Sequence, residues 1–102
     1  MPGPREFRVE FPVFFEECDW QTIEAKGWLT GVVVVARDRR STVTFYEPVR
    51  LGQTIEDDLS TDAIFFERNL IVLPSVTRRN MEAALDRMAI RNELWDLVPD
   101  GG

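Results

Sequence analysis

The chain has 102 residues, 44% of them hydrophobic and 29% charged, which fits one globular domain and excludes a disordered tail. It carries 12 basic and 18 acidic residues, for a net charge of −6, and no histidine, so histidine triads, bases and metal ligands are excluded. Its single cysteine excludes an internal disulfide and any paired-cysteine zinc or redox site.

The first element is a strand over Glu6–Glu16. Phe7, Val9, Phe11, Val13 and Phe15 share one parity, and Arg8, Glu10 and Glu16 the other. Pro12 offers no N–H to a ladder, which predicts an edge strand or a bulge. Glu17–Gly27 reads as a polar loop with one helical turn over Thr22–Lys26, ended by Gly27. In Trp28–Arg37, the run Val32-Val33-Val34-Val35 is apolar on both parities, which predicts a central strand covered on both faces. Asp38–Ser41 is a polar turn and Thr42–Tyr46 alternates again, so Trp28–Tyr46 is expected to be a hairpin.

Pro48 suits the first turn of a helix, where a missing N–H costs nothing. Leu51, Ile55 and Leu59 give that helix a narrow apolar stripe, with Glu56, Asp57 and Asp58 expected outside. Ala63–Leu73 contains two apolar runs around Glu67-Arg68-Asn69. A hairpin turning at Arg68-Asn69 is favoured, with one continuous strand as the alternative. Thr77 is placed as an N-cap, with Val76 and Met81 as a hydrophobic staple. Met81, Ala84, Leu85, Met88 and Ala89 then follow helical spacing as far as Asn92. At an offset of 26, Pro48 echoes Pro74, Phe45 echoes Ile71 and Leu59 echoes Leu85. Chance recurrence of strand–loop–helix chemistry explains this better than duplication.

The expected fold is therefore α+β. It has an antiparallel sheet of four or five strands with two helices packed on one face, in the order β-ββ-α-ββ-α. A single domain spans residues 1–102, with a frayed tail at 99–102.

Cys18 lies among Glu16, Glu17 and Asp19. Negative neighbours disfavour a thiolate and no histidine can activate it, so it is read as inert. The carboxylates Glu56, Asp57, Asp58 and Asp62 lack the spacing and glycine of a calcium loop and read as a solvated acidic face. No metal, cofactor or catalytic residue is expected. The arginines Arg37, Arg39, Arg40, Arg78 and Arg79 read as solvated surface residues.

The acidity is uneven. Met1–Leu51 has 7 basic and 8 acidic residues, and Gly52–Gly102 has 5 and 10, or −1 against −5. A negative field repels phosphate backbones, so nucleic acid is not an expected partner; a basic protein is. Aromatics are numerous, and Phe14, Trp20 and Trp95 are candidates for an interface. The longest apolar run, Val32–Ala36, falls far short of the ~20 residues that span a bilayer. The opening residues show no apolar run of a secretory signal, so a cytoplasmic location is expected.

These features point to a non-enzymatic interaction module that binds a basic protein through Phe14, Trp20, Trp95, Glu56, Asp57, Asp58 and Asp62. Small acidic inhibitors, such as bacterial immunity proteins and phage anti-defence proteins, share this composition, though no motif. A homodimer is also expected, because Leu70–Leu73 carries no guard against edge pairing. The alternatives are a small-molecule-binding domain or enzyme using carboxylate and arginine chemistry in a sheet–helix pocket, or an oligomeric structural subunit.

Overall fold

A computed structural model describes residues 7–11 and 20–100. The strands are β1 (Phe7–Glu10), β2 (Trp28–Ala36), β3 (Arg39–Tyr46) and β4 (Leu70–Val72). The helices are α1 (Trp20–Lys26), α2 (Pro48–Asp62) and α3 (Arg78–Ile90), followed by a 3-10 turn over Glu93–Asp96. The class is α+β, with one sheet in the order β1-β2-β3-β4.

β1 is an edge strand, as Pro12 predicts, although Pro12 itself lies outside the described residues. β2 is central, as its run of valines predicts. β2 and β3 form the expected hairpin, but its turn is the two residues Arg37-Asp38 and not Asp38–Ser41, since β3 already begins at Arg39. Between Leu29 and Val32 the register shifts: Leu29 pairs with Phe45 and Val32 with Val43. One extra residue on β2 makes a bulge, and Gly31 sits in it at φ 82°, a conformation that costs a residue with a Cβ about 1–2 kcal/mol. The bulge changes parity, so Leu29, Val32, Val34 and Ala36 all enter the same core.

The sheet is not wholly antiparallel. β4 runs parallel to β3, pairing Phe45 with Ile71, and the favoured Ala63–Leu73 hairpin does not form. The turn at Arg68-Asn69 does form, with Asn69 left-handed at φ 55°, but it leads into β4 rather than reversing between two strands. Parallel neighbours need a long crossover, and residues 47–69 supply it, with α2 at its centre. The sequence echo at 26 residues coincides with the β3–β4 register, but the hairpin before it is not repeated.

The core lies on one face of the sheet. Phe7, Leu29, Val32, Val34, Ala36, Val43 and Phe45 meet Ile23 of α1, Met81 and Leu85 of α3, and Leu94 of the 3-10 turn. Burying each large apolar side chain contributes about 1.5–3 kcal/mol. The α3 reading holds in detail. Thr77 Oγ1 accepts from Asn80 N at 3.1 Å, and the staple residues Val76 and Met81 are buried.

The two helices that join this core are α1 and α3, not α2 and α3. None of the α2 side chains is buried. Its stripe of three apolar residues is narrow. Leu51 and Ile55 are only half-buried, Leu59 is 51% exposed, and Asp58, expected outside, is half-buried among them. Glu47 caps α2 by accepting from the N–H groups of Val49 and Arg50. At its other end Ala63 sits left-handed at φ 62°, with its N–H donating to Leu59 O at 3.2 Å. Glycine takes this C-terminal position without strain. Ala63→Gly is expected to stabilise the protein by about 0.5–1 kcal/mol, read as a higher midpoint of urea unfolding with an unchanged slope.

Asp100, within the stretch expected to fray, is hydrogen-bonded to β3. Its N–H donates to Arg40 O at 2.7 Å, and its carboxylate accepts from Thr42 N at 3.0 Å and from Thr42 Oγ1 at 2.9 Å. The tail thus occupies the edge of β3 ahead of the point where β4 begins.

Candidate interaction surface

The crossover from β3 to β4 concentrates features that a core would not leave outside. Its last helical turn and following loop expose Leu59 at 51%, Ile64 at 62% and Phe66 at 75%. Val72 of β4 is exposed as well. The same stretch of sequence carries Glu56, Asp57, Asp58, Asp62 and Glu67, with Arg68 as the single cation between residues 56 and 72. Glu56, Asp57 and Asp62 are exposed. Glu67 Oε2 accepts from Thr44 Oγ1 at 3.3 Å, and Thr44 lies 3.0 Å from Thr30 Oγ1, so the loop is fastened to the sheet beside Phe66.

The aromatic residues singled out from the sequence sit elsewhere. Trp20 is half-buried against the core and meets the Phe11 ring edge-on at 5.9 Å. Trp95 is half-buried, with the guanidinium groups of Arg37 and Arg39 each 5.0 Å from its ring. Arg39 also donates to Trp95 O at 3.3 Å and Leu97 O at 3.0 Å, so this cluster clamps the 3-10 turn to the hairpin. Phe14 and Cys18, with Glu16, Glu17 and Asp19, lie outside the described residues. Of the seven interface candidates, the four acids lie on α2, Trp20 opens α1 and Trp95 lies in the 3-10 turn. Phe66 was missed because its neighbours, Ile64 and Phe65, read as a buried strand. The signal that could have marked it is the acid on each side, Asp62 and Glu67.

The turn arginines find partners within the chain. Arg40 pairs with Glu10 at 2.5 Å and Arg8 with the same carboxylate at 3.3 Å. Hydrogen bonding from Arg40 holds the Glu10 carboxyl below its ordinary value. A lowered carboxyl pKa contributes stability above the unfolded-state value, and that contribution is lost as pH falls through the folded value. The pair is open to solvent, so the effect is small. Glu10→Gln is expected to lower stability slightly at neutral and alkaline pH and to leave the acid end nearly unchanged, so that a minor part of the acid-side loss disappears, checked by unfolding midpoints from pH 2 to 8.

A cavity of about 280 Å³ lies between β1 and α3. Phe7, Val9, Phe11, Met81 and Leu85 line it together with Arg8, Arg78 and Glu82. Arg78 and Glu82 pair at 3.3 Å. Among the described residues, no group of three or more His, Cys, Asp or Glu side chains could hold a metal ion. Among them, too, no helix is long and apolar enough to cross a membrane.

Comparison of the chain with protein-family models, with curated proteins and with solved structures returns no match.

Proposed function

We propose that the chain is a non-enzymatic interaction module that binds a basic protein partner through the β3–β4 crossover. The observation that carries this reading is Phe66, 75% exposed between exposed Ile64 and the carboxylates of Asp62 and Glu67. An aromatic anchor inside a charged rim is the usual composition of an interface. Inhibition of the partner, in the manner of immunity or anti-defence proteins, is the role this surface suits, and the cytoplasm is the proposed setting.

The test uses a partner captured from the native host. Rim charges act on the association rate and its salt dependence, over a reach of about 8 Å at physiological ionic strength. Glu56→Gln with Asp57→Asn should slow association several-fold at low salt and little at high salt. The fold should be unchanged, since both side chains are exposed. Kinetics indifferent to salt and to the double substitution would remove the electrostatic basis of the reading.

The β1–α3 cavity favours a second reading, a small-molecule site with arginine and glutamate in its lining. At about 280 Å³ it falls just below the range of ligand pockets, roughly 300 to 1,000 Å³. Val9→Trp, which would fill it from a half-buried position, should leave partner binding intact under the first reading and abolish function under the second.

A further inference from the structure

The outer edge of β4 offers the same surface a second kind of contact. Asn69 O accepts from Thr44 N at 3.2 Å, and Leu73 N donates to Tyr46 O at 2.9 Å. Strand alternation then turns Ile71 toward β3 as well and directs the N–H and C=O groups of Leu70 and Val72 away from it. β4 is the last strand of the sheet on this side. The sequence puts no proline or lysine in it to blunt the edge, and Val72 is 48% exposed. The segment that leads into this edge holds Phe66 and five carboxylates against Arg68 alone.

We infer that β4 is a docking edge for an extended, arginine- or lysine-bearing segment of the partner, which adds to the sheet as a fifth strand. The inference rests on the proposed acidic interface and deepens it. Backbone pairing to Leu70 and Val72 provides directionality, apolar side chains meet Val72 and Phe66, and the alternate cationic side chains meet the carboxylates. Charge selects this occupant over a second copy of the chain. Two copies joined at β4 would bring together two molecules of net charge −6, each with its acidic crossover at the seam.

The probe is a nine-residue capped peptide of alternating arginine and valine, compared with its glutamate–valine counterpart and with an arginine–valine peptide N-methylated at alternate residues. N-methylation removes strand pairing and keeps the charge. The arginine peptide should bind and slow amide exchange of Leu70 and Val72 at least tenfold. The glutamate peptide should not bind, and N-methylation should weaken affinity at least tenfold. Val72→Pro removes an outward N–H that β3 does not use and is tolerated on an edge, so it should weaken peptide binding equally while the fold persists.

If both arginine peptides bind alike, with no slowing at Leu70 and Val72, strand addition is overturned while the acidic interface stands. If arginine and glutamate peptides are not distinguished, or neither binds, both fall. If the protein alone forms a dimer at micromolar concentration with those two amides already slowed, the occupant is a second copy and the inference is overturned.

Discussion

Asn69→Ala is expected to destabilise the protein by about 2–3 kcal/mol, more than any other exposed or half-buried substitution considered. Asn69 Nδ2 donates to Thr42 O at 3.0 Å and to Val98 O at 2.9 Å, and its Oδ1 accepts from Val98 N at 2.8 Å. One side chain therefore joins the strand preceding the crossover, the turn after it and the tail. Hydrogen bonds of this kind contribute about 0.5–1.5 kcal/mol each, with the more exposed ones at the low end. Alanine would also have to hold φ near 55°, at a cost of about 1 kcal/mol. Asn69→Gly separates the two effects, since glycine removes the hydrogen bonds without the backbone strain. Thermal unfolding should show a loss of about 10–20 °C for alanine and a smaller one for glycine. Equal losses would show that backbone conformation contributes nothing at this position.

Phe66→Ser should weaken binding to the captured partner at least about thirtyfold and leave stability within about 0.5 kcal/mol of the parent protein. A ring that is 75% exposed contributes little to folding, whereas a central aromatic anchor contributes 2 kcal/mol or more to an interface. Val49→Ser serves as the control, because Val49 is 68% exposed at the opposite end of α2. Parallel calorimetry and surface-binding measurements decide the matter. Retained affinity in Phe66→Ser would move the interface elsewhere, and lost stability would mean that the ring packs inside.

Local pattern made much of this fold legible. The edge position of β1 followed from Pro12, the central position of β2 from its valines, and the α3 cap and staple from Val76, Thr77 and Met81. Topology was not legible where it depended on pairings distant in sequence. Ala63–Phe66 has the composition of a strand, yet nothing local distinguishes a hairpin arm from a connection returning to a parallel neighbour. The stripe of α2 has helical spacing, but spacing does not reveal how deeply a helix beds against a sheet. The bulge at Gly31 hides a change of parity that places Leu29 with Val32. The acids of the candidate surface were visible as a group from their positions in one helix. Its aromatic centre was not, because burial of Phe66 is decided by where the crossover runs.

The fastening of Asp100 to Arg40 and Thr42 has a consequence for biosynthesis. During translation the β2–β3 hairpin leaves the ribosome well before the segments that complete its outer edge. Thr42 waits for Asn69 and then for Asp100, 58 residues downstream. At the ~5–20 residues per second of elongation, that interval lasts several seconds, and an uncovered strand edge is then open to pairing with other nascent chains. Arg39, Arg40 and the alternating threonines of β3 keep this waiting edge polar. The same arginines that pair with Glu10 and clamp Trp95 in the finished protein would thus act first as gatekeepers against aggregation on the ribosome.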